Sequence, residues 1–108
     1  MRSLISFVLF FLIFSNAIAS SPWHGFWIAT DEWQSEYLVE IKKDGSAKSD
    51  YGNGESGSWK IKDGNLEILW DSGKIDYWFN GVMGFQRISK SSTKTYTSGV
   101  KRKSLDNP

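Results

Sequence analysis

Between Ser56 and Ser89, short runs of alternating apolar and polar residues are punctuated by Asp63-Gly64, Ser72-Gly73 and Asn80-Gly81, a pattern that leaves room for little besides successive β-hairpins. Both central residues of a type I′ turn take positive φ, which Asp-Gly tolerates, so Asp63-Gly64 reads as a two-residue loop. The turn fixes the register. Lys62 faces Asn65, Ile61 faces Leu66, Lys60 faces Glu67 and Trp59 faces Ile68, giving apolar pairs on one face and an ion pair on the other. A two-residue loop at Ser72-Gly73 then sets Trp70 opposite Ile75, Ile68 opposite Tyr77 and Leu66 opposite Phe79. Another at Asn80-Gly81 carries the same apolar face into Val82, Gly84, Gln86 and Ile88. A slip of one residue in any of these turns exchanges the two faces of the next strand.

Upstream, strands Tyr37–Lys42 and Ser46–Tyr51 flank Lys43-Asp44-Gly45. A two-residue turn there would set Ile41 against Lys48. A three-residue loop with Gly45 in the left-handed region, a type I turn with a G1 bulge, instead pairs Ile41 with Ala47, Val39 with Ser49 and Tyr37 with Tyr51.

Residues 1–19 have the layout of a secretion signal: Arg2 supplies the charge, Leu4–Phe14 the apolar run and Ala17-Ile18-Ala19 the small-x-small cleavage site. The run is shorter than the roughly 20 residues of an ordinary membrane span. A secreted or periplasmic location is expected, with no stable span once the signal is removed. Residues 20–108 suffice for one domain, and with Arg2 gone their charges balance, which argues against a general nucleic-acid or membrane-surface binder. The chain has no Cys, so packing must do the work of the disulfides many small exported domains use. Its six Trp suit that task, since each aromatic buries roughly 150–250 Å².

Trp23–Thr30 reads as a first strand, with Trp23, Trp27 and Ala29 on one face and Phe26 and Ile28 on the other. An acidic loop around Asp31, Glu32 and Glu36 comes next. Gly52–Gly57 reads as a flexible loop, Lys90–Gly99 as a polar last strand able to close the sheet, and 101–108 as a basic, disordered tail or an arm for an anionic surface. With no helical period after the signal, the class is all-β: an antiparallel meander of seven to eight short strands over residues 20–100, forming a small barrel or strongly curled sheet.

At Gly25-Phe26-Trp27 the chain resembles the lipocalin and calycin barrels, which open their first strand with Gly-x-Trp and continue as an antiparallel meander. The whole pattern is similar to short lipocalin-like proteins exported by bacteria. The resemblance implies that the Trp lies across the barrel floor beneath a late basic residue, here Arg87, Lys101 or Arg102.

No constellation specifies a reaction. His24 is the sole histidine and no Gly-x-Ser-x-Gly elbow accompanies it, so no enzyme is expected. Asp31, Glu32 and Glu36 lack the regular oxygen spacing of a dedicated Ca²⁺ loop, and neither metal nor cofactor is expected. Asp50 with Glu55, or Glu67 with Asp76, could supply paired acids, although nothing in the sequence pairs them and Lys60 accounts for Glu67.

Two surfaces remain. Trp27, Trp59, Trp70 and Tyr77 would line an interior for a small apolar ligand. Opposite them Leu69, Trp78, Met83 and Phe85 form an outer apolar patch, with Trp78 directly facing Met83, for the chain's own first strand, a partner or a ligand to cover. The expected function is that of an exported, non-enzymatic binding protein, lipocalin-like, using either surface. The alternative is a small inhibitor or envelope-interaction protein acting on another exported protein through its loops or a sheet edge.

Overall fold

The computed structural model describes residues 22–103; the predicted leader and the last five residues of the predicted tail lie outside them. Eight strands run in order: β1 (Gly25–Thr30), β2 (Glu36–Ile41), β3 (Ser46–Ser49), β4 (Glu55–Lys62), β5 (Asn65–Trp70), β6 (Ile75–Gly81), β7 (Gly84–Lys90) and β8 (Thr95–Arg102). Each pairs antiparallel with the next, and β1 pairs with β8 through Trp27–Arg102, Ile28–Lys101 and Ala29–Val100, closing a barrel. Lys101 and Arg102 are therefore the end of the last strand, where their composition had suggested a disordered tail. Closure leaves the described barrel no free sheet edge, which removes the edge route to a partner.

Two hairpins have the registers their turns dictate. Across Asp63-Gly64, Lys62 faces Asn65, Lys60 faces Glu67 and Trp59 faces Ile68, with Asp63 at φ 55° and Gly64 at φ 82°. Lys60 Nζ lies 3.3 Å from Glu67 Oε1, as the register requires. In the β2–β3 hairpin, Gly45 takes φ 94° and its N–H bonds Lys42 O at 3.2 Å, pairing Ile41 with Ala47 and Val39 with Ser49.

The next two turns differ from expectation. The β5–β6 loop spans Asp71-Ser72-Gly73: Trp70 N–H bonds Lys74 O and Gly73 N–H bonds Trp70 O, both at 2.9 Å, with Gly73 at φ 96°. This is the same bulged geometry as at Gly45, one residue longer than a two-residue turn. Leu69 consequently faces Ile75 and Leu66 faces Trp78, so β6 presents its opposite face to the interior. Asn80 and Gly81 belong to β6, the turn lies at Val82-Met83, and Trp78 faces Arg87 where Met83 was expected. That second shift is an even number of residues and keeps the exchanged face. Tyr77 and Phe79 therefore point outward, while Asp76, Trp78, Arg87 and Ser89 are buried.

The anticipated flexible loop Gly52–Gly57 is shorter, because β4 begins at Glu55. Gly57 lies within that strand, where a Cβ would sit 2.4 Å from Leu69 O and 2.9 Å from Trp70 Cα. Only glycine allows β4 and β5 to approach so closely there.

The core consists of Trp23, Trp27, Ala29, Tyr37, Val39, Ile41, Ala47, Leu66, Ile68, Trp70, Trp78 and Val100, with Trp59 packed against it. One barrel end is sealed by aromatic rings: Trp27 stacks edge-on to Trp78 at 5.4 Å and to Phe85 at 5.1 Å, and Trp23 lies 5.6 Å from Trp27. The Arg102 guanidinium lies 4.3 Å from the Trp27 ring centroid, donates to His24 O at 2.8 Å and also bonds Pro22 O. Of the three basic residues the Gly-x-Trp resemblance allowed, Arg102 takes that place. Gly25, at φ 127°, makes room for it, since a Cβ there would lie 2.7 Å from Arg102 Nη1.

Candidate functional site

The face exchange places an ionic layer across the barrel. Asp76 and Arg87, on neighbouring strands β6 and β7, are both fully buried, and Arg87 Nη1 donates to Asp76 Oδ2 at 2.9 Å. Arg87 Nη2 donates to Thr30 O at 3.0 Å and to the Tyr96 hydroxyl at 2.8 Å. The guanidinium also lies 5.4 Å from the Tyr37 ring and 5.3 Å from the Tyr96 ring. Burial works against the Arg87 charge, and Asp76, Tyr37 and Tyr96 together more than offset it, so its pKa is raised. Burial pushes the Tyr37 hydroxyl well above the usual phenol range and keeps it protonated.

This layer has hydrogen-bonding capacity left over. Trp70 Nε1, Trp78 Nε1, Arg87 Nε, Ser98 Oγ and Asp76 Oδ1 are buried without a hydrogen-bond partner among the described residues. Three are obligate N–H donors, one is a hydroxyl and one an acceptor. Arg87 faces both Trp78 and Ser98 across the sheet and bonds Asp76, so these four cluster, while Trp70 stands apart on β5. An unmet buried polar group costs about 1–3 kcal/mol, which makes such a cluster receptive to a polar guest.

Toward the barrel end opposite the aromatic seal the layer is covered by Ser89 and Tyr96. There a cleft of about 180 Å³ is lined by Glu32, Tyr51, Lys74, Ser89, Lys94 and Tyr96, among others. Ser89 and Tyr96 belong to both, facing each other across β7 and β8. Side chains at the rim are held in place. Lys94 bonds Glu32 at 2.6 Å, a contact that raises the Lys94 pKa, and Lys74 bonds Glu55 at 2.8 Å while lying 5.1 Å from the Tyr51 ring and 5.6 Å from the Trp70 ring. Asp31 fixes the β1–β2 loop by accepting from the N–H groups of Trp33 at 2.9 Å and Ser35 at 2.8 Å. The acidic loop thus serves structure: Asp31 ties its backbone, Glu32 pairs with Lys94, and Glu36 lies 3.6 Å from Lys101. No group of three or more His, Asp or Glu that could hold a metal occurs among the described residues.

The residues expected to line the interior are divided. Trp27 and Trp70 are buried inside and Trp59 is half-buried, but Trp27 fills the sealed end, and Tyr77 lies outside, where Glu67 raises its pKa through a hydrogen bond. The expected outer patch is also divided: Trp78 is 0 % exposed in the core, Phe85 packs on Trp23 and Trp27, and only Leu69 and Met83 are strongly exposed. His24 contributes its backbone carbonyl to the Arg102 clamp. Sequence reasoning missed the Asp76–Arg87 layer. Its signal was the alternative three-residue reading of Asp71-Ser72-Gly73, which turns an acid and a base inward together.

No protein-family model, curated protein or solved structure matches the chain.

Proposed function

We propose that the chain is an exported, non-enzymatic binding protein, lipocalin-like in plan, that takes a small carboxylate at the open end of its barrel. The observation that carries this reading is the set of buried, unpartnered donors on Arg87, Trp78 and Ser98, which is linked to the cleft through the Tyr96 hydroxyl that Arg87 bonds. The ligand class expected from sequence was apolar; a polar mouth and unmet N–H groups favour an acceptor-rich guest. Lys74 and Lys94 stand at the rim, each paired with a carboxylate, Glu55 and Glu32, that a guest carboxylate would have to displace as partner.

Titration with acetate, lactate and citrate, followed by calorimetry and by the total tryptophan fluorescence, tests this. Tyr96→Phe removes a hydroxyl at the cleft and is expected to weaken carboxylate binding about tenfold or more, since hydrogen bonds to charged groups contribute roughly 1.5–3 kcal/mol. A flat response to all three acids alongside a clear response to decanol would return the interior to an apolar ligand.

One observation favours a second reading, the small inhibitor or envelope-interaction protein. Trp33, on the β1–β2 loop at the open end, is 75 % exposed, and Trp is enriched where partners bind. On that reading Trp33→Ala abolishes capture of an exported protein while Tyr96→Phe leaves it intact; the reverse order in a pull-down excludes it.

A further inference from the structure

The β1–β2 hairpin is gripped firmly at its base and loosely at its tip. β1 pairs with β8 from Trp27–Arg102 to Ala29–Val100, while β8 runs on through Thr95–Gly99 paired with β7 alone among the described strands. A cleft of about 350 Å³ separates this stretch of β8 from the tip, and Glu32 lines both it and the 180 Å³ cleft at the barrel end. The tip, residues 31–35, is stiffened from within. Asp31 accepts from Trp33 and Ser35, Gln34 N–H bonds Asp31 O at 3.0 Å, and Asp31 N–H bonds Ser35 O at 2.9 Å. Beyond the Ala29–Val100 pair, two polar contacts among the described residues hold Thr30 and the tip to the barrel outside their own hairpin: Arg87 Nη2 donates to Thr30 O at 3.0 Å, and Lys94 Nζ meets Glu32 Oε1 at 2.6 Å.

Both tethers have the same chemistry. Each joins a cation, Arg87 of β7 or Lys94 of the β7–β8 loop, to an oxygen of the hairpin, and a guest carboxylate offers those cations an oxygen of its own. We infer that the hairpin tip and the guest compete for Arg87 and Lys94, so that binding of an acid releases the tip and opens the cleft along β8. This rests on the carboxylate reading above. Lys94 and Glu32 are both partly exposed, so their pair is weak enough to exchange. Thr30 O is a neutral carbonyl, a poorer acceptor for a guanidinium than a charged carboxylate. Linkage then requires that whatever loosens the tip strengthens the guest by the same factor. A guest that merely filled a rigid cleft would leave the tip where it is.

The chain has no Cys, so spin labels placed through Ser35→Cys and Ser92→Cys, both exposed positions, report the separation of the tip from the β7–β8 loop. Residues 20–108, whose barrel closes within residues 22–103, carry them. Saturating acetate, lactate or citrate is expected to shift the separation to longer distances, and Glu32→Gln to do so with no acid present. Calorimetry should find that Glu32→Gln binds the acids more tightly by up to about fivefold, the range of a partly exposed ion pair. Lys94→Met should lengthen the separation too, yet weaken binding, because it removes a partner of the guest along with the tether. A charge acting only at a distance would change both affinities without moving the labels. Acid binding at an unchanged or shortened separation, or an unmoved tip in Glu32→Gln, would overturn this inference and leave the carboxylate reading standing. Absence of binding to all three acids, in the wild-type chain and in Glu32→Gln alike, would remove both.

Discussion

Arg87→Met is expected to remove about 3–5 kcal/mol of stability, whereas the double replacement Asp76→Leu with Arg87→Met recovers most of it. The asymmetry has a simple origin. Arg87 and Asp76 are both fully buried, so removing the guanidinium leaves a carboxylate sealed from water with its strongest partner gone. Removing both charges withdraws the desolvation penalty along with the attraction. Small domains have about 5–15 kcal/mol of stability in total, so the single change takes a large share of it and the urea midpoint moves accordingly. Equal losses in the single and double variants would mean that the pair is not isolated from solvent as its burial indicates. The two variants also bear on function, because the double variant retains the fold while losing the charged floor beneath the cleft. Carboxylate binding should be absent from it even where its stability is restored.

Trp78→Ala is expected to cost about 3–5 kcal/mol, the range for a large aromatic removed from a packed core, and Tyr77→Ala less than about 1 kcal/mol. These residues are neighbouring aromatics on β6 that present opposite faces. Trp78 is enclosed within the barrel and meets Trp27 edge-on at 5.4 Å, while Tyr77 lies outside opposite Glu67. Thermal or urea unfolding of the two variants therefore reads the register of the β5–β6 hairpin directly. A two-residue turn at Ser72-Gly73 would give the reverse order of effects. Alike losses would show that neither side of this strand is selectively packed.

The two hairpins readable from sequence to the individual pair are those whose turns admitted one solution. At Asp63-Gly64 a slip would separate Lys60 from Glu67, and at Lys43-Asp44-Gly45 the shorter turn would set Ile41 against Lys48, so turn chemistry and face agreed. At Asp71-Ser72-Gly73 they did not select together. Both the two- and three-residue loops accept Gly73 at positive φ, and apolar alternation favoured the reading that kept Ile75, Tyr77 and Phe79 inward. The other reading buries an aspartate, which local pattern cannot recommend because its compensation, Arg87, comes from the next strand. The same limit applied at the C-terminus. Lys101 and Arg102 have the composition of a solvated tail, yet β8 needs them to pair with β1, and Arg102 needs Trp27 at the far end of the chain to become a clamp.

From its residues alone, the chain determined an all-β meander, its strand succession and the pairing of two hairpins, because φ preferences and two-residue alternation act over a few neighbouring positions. Which face of β6 and β7 turned inward was decided only by closure of the barrel. Closure enclosed a carboxylate together with the guanidinium of the neighbouring strand and allowed Arg102 to cover Trp27. Those outcomes depend on desolvation and on contacts between distant strands, energies that exist only once the sheet has closed on itself.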